Sequence, residues 1–422
     1  MHAIRPGDLI GEQKNRQDVL VSDEIELADL TARIRRLVED VEPDRVVFDS
    51  LSLLEILSTV PSRFRQELIT LTDYLQEYPA TCLMTSAVDG EFSSTDAEIA
   101  SDGMICLNHV DSDYGGKRFR LMVRKLRASG FRGGYHDFDI VAGGLKVFPR
   151  IVPREPDEVL LRERYESGVA ELDALVGGGL AAGTSCLIIG PSGCGKTSLA
   201  TQYIVSAARN GKRAAILLFD EARETFLRRA ADLGMDLQPH IDAGAVIVKQ
   251  VEGALVSPGE FSVMVRDALD EDIDILVIDS LTGYFQSMPE EHTLLAQVRD
   301  LIRYMNRRGV LSIMTVAQRG FVGQEVRSPL DITESADTAL LLRFFEMRGK
   351  VRKTISVIKK RYGPHETDIR ELLITEEGLQ VGSETRLFSG ILSGSPRFEG
   401  EWEELMEASE PDSPAPDSRE RE

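Results

Sequence analysis

Residues 185–208 read SCLIIGPSGCGKTSLATQYIVSAA. An apolar run meets Gly190 and then the pattern GxxxxGK[ST], filled by Gly190, Pro191, Ser192, Gly193, Cys194, Gly195, Lys196 and Thr197, with Ser198 following. The order is a strand, a glycine-rich turn and a helix, which is the setting this pattern needs. Glycines at 190, 193 and 195 let backbone N–H groups turn toward phosphate oxygens, and the start of the following helix adds a favourable dipole. Lys196 is expected on the β- and γ-phosphates of a nucleotide and Thr197 on magnesium. An accidental glycine turn would lack an acidic strand further along the chain.

That strand is present. IDILVIDS (273–280) reads as a buried central strand ending in Asp279, and acids at the carboxyl ends of parallel strands sit where ligands bind. Asp279 is expected to share the magnesium with Thr197. A second strand, AAILLFDEARETFLRRA (214–230), ends in Asp220 and Glu221. Hydrolysis needs a base or orienter for water, so this pair is the candidate, with helix capping as the rival reading. Gln318 ends LSIMTVAQ and is a candidate sensor of the γ-phosphate. Alternating strands and helices predict an α/β fold with a mainly parallel sheet covered on both faces.

The chain also repeats itself. DRVVFDSLSLLEIL (44–57) matches IDILVIDSLTGYFQ (273–286), with Asp49 and Ser50 standing for Asp279 and Ser280. Further on, RLMVRKLRASGFRGGYHDFDI is echoed by KTISVIKKRYGPHETDIREL, where Lys125 and Arg127 stand for Lys359 and Arg361. The first landmarks lie 230 residues apart and the second 234, so a duplicated domain is predicted. The expected divisions are a first copy at 1–151, a linker at 152–165, a complete copy at 166–397 and an acidic tail at 398–422. The first copy is expected to be incomplete, without a phosphate loop. Its helices are predicted in DEIELADLTARIRRLVEDVEP, with Asp23 and Glu26 as a capping pair, and in SRFRQELITLTDYLQEY.

Composition narrows the classes. At 422 residues, with 42% apolar and 28% charged side chains, the chain suits two globular domains. Forty-nine lysines and arginines against 70 aspartates and glutamates leave a net charge of −21, which opposes casual nucleic-acid binding. No run approaches the ~20 apolar residues of a membrane span, and the first residues lack a signal peptide's apolar centre. Cys82, Cys106, Cys186 and Cys194 are scattered with no CxxC, so neither disulfides nor zinc are expected and a reducing cytoplasm is the default. The tail, rich in Pro, Ser and Glu, is expected to be disordered.

With these residues assembled, the chain resembles the KaiC-like branch of RecA-type ATPases. SGVAELDALVGGGLAAGTSCLIIGPSGCGKTS is similar to that family's lead-in to the phosphate loop, and FDEARETFLRRAADLGMDL to its acidic pair and following helix. ISVIKKRYGPHETDIREL resembles its late β-hairpin, and GILSGSP its domain end. The resemblance covers nearly the whole chain. It implies a tandem RecA-like P-loop fold and homo-oligomeric rings, usually hexamers, that bind ATP and Mg2+ between subunits. On it, Asp220 and Glu221 fall on the catalytic acids, and Lys359, Arg361 and His365 on residues that a neighbour extends toward the phosphates.

Two departures stand out. The family's first domain normally carries its own phosphate loop, so Lys125 and Arg127 keep a finger-like pattern without a matching site. The family's clock proteins phosphorrylate an adjacent Ser–Thr pair, which falls here on Thr333 and Glu334. Thr333 and Ser335 are the remaining candidate acceptors of an autokinase. Two other readings stay open. One is a nucleotide-gated scaffold read by a signalling partner; the other is a recombinase-like DNA-dependent ATPase, which the acidity opposes.

Overall fold

The computed structural model describes residues 22–51, 61–87, 101–110, 116–152, 163–288, 293–318, 332–347, 349–384, 388–389 and 397–398. The side chains of Asp23 and Glu26, most of the linker, the GILSGSP segment and the acidic tail from residue 399 lie outside the described residues. The chain divides into two compact units, residues 1–107 with 121–135, and residues 108–120 with 136–422.

In the first unit, helix α1 (Ser22–Val41) leads into β1 (Arg45–Asp49), α2 (Pro61–Glu77) and β2 (Thr81–Thr85). β1 and β2 pair in parallel, from Arg45↔Thr81 to Asp49↔Thr85. Their period-2 alternation turns Val46, Phe48, Cys82 and Met84 onto Val38, Leu71 and Leu75 of the helices. The opposite face carries Val47 and Leu83 exposed. Among the described residues, burial on both faces, expected from the pattern, is therefore not what this strand pair shows; the described helices lie against one side. Strands β3 (Gly103–Val110) and β4 (Arg118–Leu126) follow and are divided between the two units, while β5 (His136–Val141) and β6 (Gly144–Phe148) belong to the second. Lys125 Nζ donates to the Ser101 carbonyl at 2.7 Å, and Arg127 pairs with Asp102 at 3.2 Å.

In the second unit, β7 (Arg164–Tyr165) pairs with β8 (Leu180–Ala181) around helix α3 (Ala170–Leu175). The main sheet holds β9 (Ser185–Gly190), β10 (Ala214–Leu218), β11 (Val246–Gln250), β12 (Ile275–Asp279) and β13 (Leu311–Ala317). It continues with β14 (Thr338–Met347), β15 (Lys350–Lys360), β16 (Arg370–Thr375) and β17 (Gly378–Glu384). Their spatial order is β11-β10-β12-β13-β9-β14-β15-β16-β17. From β11 to β14 every pairing is parallel, and from β14 to β17 every pairing is antiparallel.

Six further helices lie among the described residues of the unit: α4 (Lys196–Arg209), α5 (Arg223–Asp232), α6 (Gln238–Asp242), α7 (Pro258–Leu269), α8 (Leu281–Gln286) and α9 (Leu294–Arg307). The central strands are continuous apolar runs because both faces are buried. Cys186 and Ile188 of β9 join Leu199, Tyr203 and Ile204 of α4 on one face. Leu187 and Ile189 face Phe261 and Val265 of α7 and Val298 and Leu301 of α9 on the other. The β5–β6 hairpin also packs on α7: Phe148 is buried, and the Asp137 carboxylate accepts the Gly259 N–H at 2.6 Å. That contact places an acid on the positive end of the helix, beside the Ser257 cap. Among the described residues no helix is long and apolar enough to cross a membrane.

Candidate active site

Parallel strands in register bring their carboxyl ends together. Leu218 lies beside Asp279 and Ala317 beside Gly190, so the segments after β9, β10, β12 and β13 share one edge of the sheet. Gly190, Pro191, Ser192, Gly193, Cys194 and Gly195 form the turn from β9 into α4, which begins at Lys196.

The glycines are needed for two reasons. A Cβ at Gly190 would lie 2.6 Å from the Leu342 carbonyl oxygen and 2.7 Å from Cys194 Sγ, and Gly193 and Gly195 have φ of +78° and +106°. Gly195 caps the helix without any side-chain bond, which leaves the N-terminal amides directed at an incoming group. Lys196 Nζ is folded back 2.8 Å from the Pro191 carbonyl. Gln318 donates its N–H to the Gly190 carbonyl at 3.0 Å, while its buried Nε2 has no hydrogen-bond partner among the described residues. An orphaned amide, a lysine and a glycine cradle suit a polyphosphate.

Asp279 is buried at the end of β12. Burial pushes its carboxyl above the usual range, opposed by side-chain hydrogen bonds from Thr315 and Thr197 and by Arg229; Asp220 pushes the same way as burial. Thr197 and Asp279 together supply hydroxyl and carboxylate oxygen, the hard donor set and small protein share that magnesium takes. Ser198, one residue on, is buried in the first turn of α4.

Asp220 and Glu221 occupy the turn between β10 and α5, and their surroundings differ. Asp220 is exposed and accepts from Ser280 Oγ at 2.5 Å. Glu221 is half-buried and held by both arms of Arg229, Nε at 3.2 Å and Nη2 at 2.6 Å.

The remaining predicted residues gather elsewhere. Lys359 Nζ donates to the carbonyls of Thr333 (2.9 Å) and Glu334 (3.2 Å). Arg361 reaches the Glu334 carbonyl at 2.6 Å and the buried Asp337 at 3.4 Å. Burial and the neighbouring Arg361 lower the Lys359 pKa. Ser335 lies in the same turn, its N–H on the Ile332 carbonyl at 2.9 Å. His365 is half-buried in the connection between β15 and β16.

Register fixes where this group sits. Ala339 pairs with both Lys359 and Leu187, and the Asp337 N–H meets the Ser185 carbonyl at 3.1 Å. Arg361 and residues 333–337 therefore lie at the amino end of β9, five residues or roughly 16 Å from Gly190.

Three contributors escaped the sequence reading. Thr315 is a polar residue inside an apolar strand, and the first unit repeats its bond: Thr85 Oγ1 donates to Asp49 Oδ1 at 2.6 Å. Ser280 was visible only as part of the repeat. Arg229 gave no local signal, because it meets Glu221 across eight residues.

A strand–loop–helix phosphate cradle in a parallel sheet, with an acid ending a neighbouring strand, defines a P-loop nucleotide-binding protein of RecA-like build. The chain belongs to the KaiC family of ATPases. The family model described as "ATPase: KaiC" matches it twice, over residues 7–151 and 165–386, so the two copies are a tandem repeat of one domain. Among its relatives, the circadian clock protein KaiC3 of Synechocystis sp. is 26% identical over 389 residues, covering 90% of this chain and 76% of its own. The circadian clock oscillator protein KaiC of Synechococcus elongatus is 27% identical over 382 residues, 88% of this chain and 72% of its own. That of Prochlorococcus marinus is 28% identical over 392 residues, 90% and 77% respectively.

Proposed function

We propose that the chain is an ATP-binding and ATP-hydrolysing ring protein of KaiC type, with its triphosphate pocket in the second repeat. The pocket is completed by Lys359, Arg361 and His365 of the adjoining protomer. One observation carries this reading: sheet register and the bonds to residues 333–337 hold Arg361 and the Lys359 ammonium at the end of β9 opposite their own phosphate loop. A cation at that end can serve a phosphate only in a neighbouring chain.

In the assembled site, the loop amides and Lys196 grip the β- and γ-phosphates. Thr197 and Asp279 would hold magnesium, which would neutralise phosphate charge when bound. Glu221 takes the proton of the attacking water, with Asp220 as its orienter, and Gln318 donates to the γ-phosphate. Lys359 and Arg361 from the neighbour stabilise charge growing on the transferring group, as positive charges added from outside do. Acidity on this scale keeps nucleic acid out of the proposal.

The same contacts support an autokinase. Lys359 and Arg361 organise the turn containing Thr333 and Ser335, so cations aimed at a neighbour's phosphates carry a candidate acceptor hydroxyl with them. A signalling partner that reads the phosphorylated ring is the natural output, in keeping with relatives named as clock proteins.

Mixing tests the shared pocket. Lys196→Ala chains and Arg361→Ala chains are each inactive alone; mixed rings recover part of the ATPase rate, because some seams join an intact loop to an intact finger. Absence of recovery in rings shown to have mixed rejects the seam. Intact-mass measurement after ATP and magnesium reports phosphate on Thr333 or Ser335, and an unshifted mass removes the kinase.

A further inference from the structure

Arg229 stands on α5, a turn and a half into the helix, whereas Glu221 lies in the turn before it. Helical side chains lean toward the amino end, so a long arginine at this position reaches back over the first turn. Its planar fork meets both carboxylate oxygens of Glu221, at 2.6 and 3.2 Å. The guanidinium carbon also lies 5.8 Å from the centroid of the fully buried Phe226 ring, which anchors the arm from the core side. Asp220 is held differently, by a single hydroxyl from Ser280. Of the two acids in the turn after β10, one is clasped by a charged fork.

A general base must come within hydrogen-bond reach of the proton it removes. A carboxylate whose two oxygens are engaged by a bidentate guanidinium is both held in place and stabilised as the anion, which weakens it as an acceptor. We propose that Arg229 is a latch on Glu221: the fork holds the base, and turnover requires Glu221 to exchange Arg229 for the attacking water. Arg229 is thus a positioning residue that slows the reaction. The latch rests on the assignment of Glu221 as the base made above.

The charge of Arg229 also reaches Asp279, whose carboxyl it helps to keep ionised. Two variants separate charge from clasp. Arg229→Lys keeps a cation near Asp279 but cannot form the fork; Arg229→Ala removes both. ATPase kinetics of the full-length chain, with its melting temperature as a folding check, give the reading. The latch predicts kcat raised by about three- to tenfold in both variants, with KM within about twofold, the scale of releasing one half-exposed ion pair.

Glu221→Gln is combined with each variant to locate failure. It abolishes the gain if Glu221 is the base. Should kcat fall or stay level in both arginine variants while Glu221→Gln still stops turnover, the latch is overturned and the base assignment stands. A rise in Arg229→Ala alone, with Arg229→Lys at the parent rate, assigns the effect to charge and also overturns the latch. Full activity in Glu221→Gln removes the base and the latch together.

Discussion

The two late hairpins of the repeats share a register but not an environment. In the second, Leu372 pairs with Val381 and Ile374 with Leu379; in the first, Phe138 pairs with Val147 and Ile140 with Leu145. All four correspondences are offset by the same 234 residues as the Lys-x-Arg pairs. In the second repeat the stripe lies on α3 and α4, with Leu372, Leu379 and Val381 only 1%, 4% and 6% exposed and Ile374 against Gly195. In the first, Ile140, Leu145 and Val147 are 61%, 50% and 39% exposed, and only Phe138 is buried, its ring 5.4 Å from Phe119. Strand pairing is thus written locally, in cross-strand pairs and the turn. Burial comes from the layer above, and in the second repeat that layer is the phosphate-loop helix itself. The nucleotide site and the core of the second repeat are therefore one construction.

The largest effect that could break this asymmetry concerns binding. With one GxxxxGK[ST] pattern in the sequence, each chain is expected to hold one nucleotide. Lys196→Ala should lower turnover by on the order of 10²-fold or more, the scale of losing a main electrostatic contact to the transferring group. Equilibrium dialysis with labelled ATP measures stoichiometry alongside. One nucleotide still bound tightly per Lys196→Ala chain would give the first repeat a site of its own.

Next comes packing. Leu372→Ala removes a buried side chain from beneath α4 and should destabilise the second unit by about 2–5 kcal/mol. Leu145→Ala, half exposed, should stay within about 0.5 kcal/mol. Urea unfolding of both variants with hydrogen exchange in β16 and β5 makes the comparison. Equal losses would mean that something buries the β5–β6 stripe in solution.

How much of this was legible beforehand follows the same division. The phosphate loop, the Asp279 strand and the α/β order could be read because each is a local pattern: an apolar run, a glycine turn, a periodic helix. The repeat could be read because Asp–Ser and Lys-x-Arg recur at near-constant offset. One-sided burial of β1 and β2 could not, since Val47 and Leu83 are as apolar as buried strand residues and only tertiary packing distinguishes them. The Glu221–Arg229 fork was equally hidden. Arginines at 223, 228 and 229 are alike as letters, and helix phase together with Phe226 decides which one reaches the acid.

The smallest expected effect lies in the aspartates that end the matching strands. Asp279 and Asp49 each accept a threonine hydroxyl from the next strand, Thr315 and Thr85. Asp279 is 8% exposed, whereas Asp49 is exposed. Burial raises the Asp279 pKa, so across the window between its unfolded and folded pKa the folded chain holds a proton that the unfolded chain has lost. By linkage its contribution to stability falls as pH rises through that window, and above it the buried charge is a standing cost. Asp279→Asn removes the charge while keeping an acceptor for Thr315. It should therefore stabilise the nucleotide-free protein at neutral pH by about 1 kcal/mol, with the gain vanishing as pH drops below the window. ATP and magnesium should reverse the order, because the parent gains ligand stabilisation that the variant loses. Asp49→Asn should change neither melt. If the two substitutions behave alike with and without nucleotide, the second strand-end acid is not the charged group that makes its repeat different.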